Sequence, residues 1–333
     1  DHDVAENICH LVLARLPDGV PGTKGISLFL VPKFLPTEDG KPGVANTLKP
    51  ISLEHKLGLH GSPTAVMQYD DAIGWMIGPK HGGMAAMFTM MNNARLGVGV
   101  QGLGIAEAAF QKALAYAGDR VQGTPMTEGG TGTILDHANV RRKLTHMKAL
   151  TRASRAICLD TAFSLDMARA TDGEDAKMWK ARGAFLTPIA KAFGTDIGSE
   201  VADMGIQVHG GMGFVEETGA AQYARDVRVT RIYEGSNGIQ AMDMVGRKLM
   251  DGGAAAEALL GEIEATAKDA QAKHPRMADV LQDVGETLSD TLDWMVQAEP
   301  NDRFAGSIPF LRAFALVLGG PFLLRGAMVS GAE

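Results

Sequence analysis

The sequence predicts an α+β, mainly α protein: a partial antiparallel β-barrel domain, an antiparallel four-helix bundle, and a partial helical C-terminal extension. Three observations predict it. Up to about residue 75, short apolar runs alternate with Gly- and Pro-rich turns. From about residue 80 the apolar residues recur with a helical period, in stretches too long for strands. At 251–262 the composition shifts to DGGAAAEALLGE, which reads as a linker or boundary. The expected domains are therefore 1–78, a partial β-domain, 79–250, the bundle, and 251–333, the extension.

Residues 8–16 and 26–31 are the first strands, separated by PDGVPGTKG. Residues 64–70 alternate weakly, with Ala65, Met67 and Tyr69 on one face. A long helix is expected over 84–119, broken between Gly97 and Gly104, where small residues let helices pack closely. Met84, Met87, Met90 and Met91 read as adaptable core packing. Further helices are expected over 136–170, 187–208, 220–229 and 236–250, the last with Ser236 as N-cap. Two or three more fill 253–333. Long helices with short connections indicate antiparallel neighbours.

The chain has 333 residues, 45% hydrophobic and 21% charged, an ordinary globular composition. A net charge of −7 argues against a general nucleic-acid binder, which needs a basic face. Cys9 and Cys158 show no metal-ligand spacing and read as reduced, buried residues of a cytoplasmic protein. No His pairing suits a metal, and no GxSxG elbow marks a hydrolase. The apolar run at 313–324 is too short for a membrane span and reads as a core helix. The start at Asp1-His2-Asp3 and the stop at Gly331-Ala332-Glu333 lead us to expect a chain truncated at its N-terminus and at its C-terminus.

Glu234, within IYEGSNGIQ at 232–240, places a carboxylate beside Gly235, where no Cβ blocks a ligand from the backbone. A base and a carbonyl-polarising N–H at one locus suit removal of a proton next to a thioester carbonyl. The alternative is a surface charge favoured by a helix start. Gly210-Gly211-Met212-Gly213 lacks a P-loop Lys and a preceding strand, so it is either a helix stop or a close backbone approach to an anion or flat ring. Arg225, Arg228 and Arg231 recur every three residues and so are expected to share a helix face, which suits a phosphate-rich ligand or, the more ordinary case, a solvated face paired with Glu216, Glu217 and Asp226.

GSPT at 61–64, Asn93-Ala94-Arg95, Asp119-Arg120 with Gln122-Gly123, QVHGGMGF at 207–214 and RIYEGSNGIQ at 231–240 occur in a specific order and spacing. In that order over about residues 1–250 the chain resembles the acyl-CoA dehydrogenase family. Its opening is most similar to the 3-methylmercaptopropionyl-CoA dehydrogenase-like subgroup, whose members also carry an extra helical region. The resemblance implies an FAD enzyme that removes an α-proton from an acyl-CoA and passes the β-hydride to flavin, giving a trans-2-enoyl-CoA. It implies Glu234 as the base, with its backbone N–H on the thioester carbonyl. Asn92, Arg95 and Gly235 join Glu234 as substrate contacts. Arg120 and Gln122, and Gln207, Val208, His209, Gly210 and Gly211, match segments that reach the FAD of a neighbouring subunit. Ser236 and Gly238 match flavin contacts after the base. The implied partners are an acyl-CoA and an electron-transfer flavoprotein or similar acceptor, in a homodimer or homotetramer, with no metal, nucleic acid or membrane span.

The chain departs from the family pattern at several points. Ala94 stands where some members carry the base, so Glu234 has no rival. Val121 replaces the aromatic flavin neighbour, and Ala138 follows His137 where Gln is usual. The Trp-Ile-Thr flavin segment and the N-terminal helical domain are expected to be missing, so a chain of this extent is expected to be weak in FAD retention and turnover. An acyl-CoA oxidase on the same fold, or a non-enzymatic flavoprotein or interaction module, remain the alternatives.

Overall fold

The computed structural model describes residues 5–331, so the terminal tripeptides at both ends lie wholly or partly outside the described residues. Two compact units divide between Asn93 and Ala94, inside the first long helix.

The first unit contains β1 (Cys9–Arg15), β2 (Ile26–Pro32), β3 (Phe34–Pro36), β4 (Pro42–Ala45), β5 (Leu48–Leu53), β6 (Ala65–Tyr69) and β7 (Trp75–Ile77). They form three separate antiparallel sheets, β1-β2-β7, β3-β4 and β5-β6, so the barrel is not closed. β1 pairs with β2 from Cys9↔Pro32 to Arg15↔Ile26. Asn46 joins segments: its Nδ2 donates to the Pro32 carbonyl at 2.9 Å and to that of Ile73 at 2.8 Å. Four strands escape the sequence pattern. β3 and β7 are three residues long, β4 opens on Pro42, and β5 carries Pro50 at a register shift. Cys9 is exposed on β1, a correction to the expectation that both cysteines are buried. Met84 and Met87 are half-buried and Met90 is exposed, so the Met cluster is not core within this chain.

The helices are α1 (Gly83–Asp119), α2 (Ala138–Ala170), α3 (Gly173–His209), α4 (Ala220–Val227), α5 (Asn237–Asp243), α6 (Ala254–Ala270), α7 (Pro275–Gln297), α8 (Pro300–Ala305) and α9 (Ser307–Ser330). The expected break in α1 does not occur. Its glycines instead permit helix contact. A Cβ at Gly99 would lie 2.5 Å from the Ala190 carbonyl oxygen, and one at Gly102 would lie 2.4 Å from that of Gly194. α3 also begins earlier than expected, because Gly183 and Pro188 sit inside it without ending it. Gly183 makes room for Leu165, so what reads as a breaker is a packing contact with α2. α2 and α3 run antiparallel, as Asp160–Arg182 and His146–Glu200 pairs show.

The expected linker at 251–262 is mostly helix: only a turn through Gly253 precedes α6. α9 packs on the bundle through Phe314, whose ring meets Phe185 of α3 edge-on at 5.1 Å. Both rings are fully buried, and truncating either to alanine costs about 3–5 kcal/mol. Residues of α6, α7 and α9 thus share one core with α1, α2 and α3. α9 is 24 residues long and apolar enough to cross a membrane by length and composition, which revises the expectation from the shorter run at 313–324. Half of its most apolar window is buried inside the protein.

Candidate active site

Glu234 and Gly235 form the turn between a 3-10 segment (Arg228–Arg231) and α5. Both are left-handed, at φ 54° and 86°. Glycine adopts this readily, whereas a non-glycine residue there costs about 1–3 kcal/mol and needs its surroundings to hold it. Tyr233 closes the preceding turn by donating its N–H to Val229 at 3.1 Å, and its hydroxyl donates to Gln101 on α1. Gln240, fully buried on α5, donates Nε2 to the carbonyls of Glu234 and Gly235, each at 3.3 Å.

Among the described residues, two buried acceptors here find no protein donor: Glu234 Oε2 and Gln240 Oε1. Buried polar atoms are nearly always satisfied within a fold, so exceptions at a strained turn mark a place for a ligand group. Ser236 occupies the expected N-cap position and its carbonyl accepts the Gln240 N–H at 3.0 Å, but its hydroxyl makes no cap bond. Its Oγ lies 3.9 Å from the position a Cβ on Gly238 would take.

Arg95 lies beside this turn. Its Nη2 lies 3.8 Å from the Cβ position of Gly235, and its Nη1 pairs with buried Asp243 Oδ2 at 3.3 Å. Asp243 also accepts from Arg247. The side chain of Asn92 lies outside the described residues.

The sequence missed Lys191. It sits on α3 among Ile189, Ala190, Ala192 and Phe193, and is fully buried. Its ammonium donates to the Gly235 carbonyl at 2.8 Å and to Asn237 Oδ1 at 2.9 Å. Asn237 in turn donates to Thr195 and Asp196 of α3, both at 3.0 Å, and Asp196 pairs with Arg231 at 2.6 Å. Burial pushes the Lys191 ammonium down to about 8; Arg95 and Arg231 act the same way, while Asp196 and Glu234 oppose. The available signal was a lone lysine inside an otherwise apolar helical run.

Gln207, Val208, His209, Gly210 and Gly211 form the C-terminal end of α3 and the turn beyond it. His209 is buried, stacks on Tyr116 with centroids 4.4 Å apart, and donates Nδ1–H to the Gly205 carbonyl at 2.7 Å. Gln207, Gly210 and Gly211 are exposed, and nothing lies within 4 Å of a Cβ built at either glycine. Along α3 this end is about 24 Å from Lys191, at 1.5 Å per residue. One chain therefore does not gather these residues around Glu234. Arg120 and Gln122 lie in the exposed loop after α1, joined by a 3.3 Å bond, and His137 holds the loop by donating to the Gln122 carbonyl at 2.9 Å. Of the three spaced arginines, Arg225 is held by Glu216 in a two-bond pair at 2.8 Å, and Arg231 by Asp196. α4 ends at Val227 and the 3-10 segment Arg228–Arg231 continues directly from it.

Open antiparallel sheets followed by a long-helix bundle, with an unpartnered buried carboxylate atom on a left-handed Glu-Gly turn, define a helical-bundle protein with a carboxylate-centred site. The chain belongs to the acyl-CoA dehydrogenase family. Residues 81–250 match the family described as "Acyl-CoA dehydrogenase, C-terminal domain", and 259–333 match "Acetyl-CoA dehydrogenase C-terminal like". The chain is 44% identical to a 3-methylmercaptopropionyl-CoA dehydrogenase of Ruegeria pomeroyi, over all of this chain and 58% of that protein. It is 34% identical to a broad-specificity linear acyl-CoA dehydrogenase of Mycobacterium tuberculosis, over 98% of this chain and 58% of that protein. Its fold is similar to Caenorhabditis elegans ACDH-11 in complex with C11-CoA, with TM-score 0.73 and 25% identity over 98% of this chain and 54% of that one. The chain thus spans a little over half the length of these relatives.

Proposed function

We propose that the protein carrying this chain is an FAD-dependent acyl-CoA dehydrogenase, converting an acyl-CoA thioester to its trans-2-enoyl-CoA. The observation that carries this reading is Glu234 Oε2, buried without a protein donor beside Gly235. A carboxylate oxygen without a protein donor is available to take a proton from a substrate carbon.

The residues present fit the cofactor that the family implies. The space around Gly210 and Gly211 is open to a ligand, and Ser236 keeps its hydroxyl out of helix capping. Ser236 and Gly238 would hold flavin next to Glu234, while Gln207–Gly211, Arg120 and Gln122 would hold the FAD of a neighbouring subunit. The separation of the two sets along α3 supports a homodimer or homotetramer on this reading. FAD, when bound, supplies the acceptor for the β-hydride.

This chain's own residues do the proton and carbonyl work. The Glu234 carboxylate takes the α-proton. The Glu234 backbone N–H donates to the thioester oxygen as negative charge develops there; a donor of this kind is worth about 3–4 kcal/mol in comparable sites. Gly235 leaves room for the thioester against the backbone. Arg95, neutralised by Asp243, borders the turn as structure rather than as a free anion clamp.

The similarity to the Ruegeria protein supports 3-methylmercaptopropionyl-CoA as substrate, with short and medium straight-chain acyl-CoAs as the alternatives. We assign the electrons to an electron-transfer flavoprotein or similar acceptor and the protein to the cytoplasm. Anaerobic addition of each acyl-CoA to the full-length flavoprotein tests the reading by flavin bleaching. Bleaching by at least one of them is expected; none by any of them contradicts it. Stoichiometric peroxide in air would move the assignment to an oxidase.

A further inference from the structure

The Glu234–Gly235 turn is held from behind by a group that the reaction itself does not require. Two consecutive left-handed residues, the first not glycine, do not persist on their own. The carbonyl of Gly235 accepts from Gln240 and, at shorter range, from the Lys191 ammonium. The same ammonium holds Asn237 at the first turn of α5, and Asn237 is fastened to α3 through Ala192, Thr195 and Asp196. Arg231, just before the turn, is tied to Asp196 as well. Segment 231–237 is therefore laced to one stretch of α3, 191–196, with Lys191 at its centre.

A buried ammonium is a costly way to satisfy one carbonyl and one amide oxygen. A neutral side chain of similar volume would pack this part of α3 at less cost, so stability alone does not account for it.

We propose that Lys191 is a positioning residue for Glu234: its ammonium fixes the Gly235 carbonyl and Asn237, and thereby the aim of the Glu234 carboxylate. The proposal rests on Glu234 acting as the base. The charged groups around Lys191 are Arg95 on α1, itself paired with Asp243 of α5, Asp196 on α3, and Arg231 and Glu234 on the turn. Loss of the Lys191 proton, near pH 8, would weaken the clamp, because a neutral amine still donates to both oxygens but without charge assistance.

The test uses the full-length flavoprotein with Lys191→Met and Lys191→Gln. Two readouts are taken: amide hydrogen exchange of the peptide covering 231–240, and kcat and KM between pH 6 and 10. We expect exchange in that peptide to quicken about tenfold at pH 7 in both variants, with α2 unchanged. We expect kcat to fall about 100-fold, the loss typical of a displacement near 1 Å, with KM within about twofold. The wild type is expected to lose kcat above about pH 8, and both variants to lack that alkaline limb. Unchanged exchange at 231–240, or an alkaline limb that persists in the variants, overturns the proposal. Should Lys191→Met fail to fold, Lys191→Gln, which keeps a donor without the charge, decides it by the same two readouts. If no acyl-CoA is turned over by the wild type, the catalytic reading fails, and the exchange result still decides whether Lys191 holds the turn.

Discussion

Arg95 and Asp243 are 148 residues apart in the chain and meet Nη1 to Oδ2 at 3.3 Å, both almost fully buried beside the Glu234–Gly235 turn. The pair joins α1 to α5 and so fixes the helix that follows Glu234. Removing one member of a buried pair leaves the other charge uncompensated, at about 3–5 kcal/mol. Asp243→Leu is therefore expected to lower the unfolding free energy by about that amount, read from the urea midpoint. A loss under about 1 kcal/mol would contradict the pairing.

The glycines of α1 divide into two classes with opposite expectations. Gly102 faces the Gly194 backbone so closely that a Cβ would lie 2.4 Å from its carbonyl oxygen, and neither backbone can give way cheaply. Gly102→Ala is expected to destabilise by about 1–3 kcal/mol through overpacking. Gly97 and Gly104 have open space where a Cβ would stand. Gly97→Ala and Gly104→Ala are expected to stabilise by up to about 1 kcal/mol, the helix-propensity difference. Thermal melts of the three variants check this, and equal shifts would contradict it.

That division also shows what the sequence could and could not convey. The glycine-rich stretch of α1 was legible as a site of close packing but not as continuous helix, because a glycine needed by a neighbour and a glycine that ends a helix look alike in one dimension. The same ambiguity hid the first part of α3, where Gly183 accommodates Leu165. Strands β1, β2 and β6 were legible from apolar patterning, whereas Pro50 and Pro42 obscured β5 and β4. At the site, Glu234 and Gly235 were legible as a local pair and Arg95 through the family pattern. Lys191 was not, since its partners lie 44 and 46 residues away and only folding shows that an apolar helix carries an ammonium to a carbonyl.

Lys191 also makes a prediction about stability. Its ammonium is displaced from the ordinary 10.5 down to about 8 in the folded chain, mainly by burial. Between those values the unfolded chain holds a proton that the folded chain has released, so stability rises with pH across about pH 8 to 10.5. Lys191→Met deletes this contribution. The unfolding free energy of wild type minus that of Lys191→Met is expected to increase over the window, by an amount of order 3 kcal/mol at 1.36 kcal/mol per pH unit. Activity is expected to move the opposite way over the same range. Chemical denaturation at pH 7, 8, 9 and 10 checks the sign, and a flat difference would contradict the burial of a charged Lys191.

The central claim is that Glu234 is the base that takes the substrate's α-proton. Replacement by glutamine keeps the shape and a carbonyl oxygen but removes the carboxylate. The most direct measurement is single-turnover flavin reduction in the full-length Glu234→Gln protein with an acyl-CoA that bleaches the wild-type flavin. The account predicts that the variant retains its flavin absorbance and binds the acyl-CoA, while the reduction rate falls by at least the 10²–10⁴-fold typical of losing a positioned general base. Flavin reduction in Glu234→Gln at the wild-type rate would contradict it.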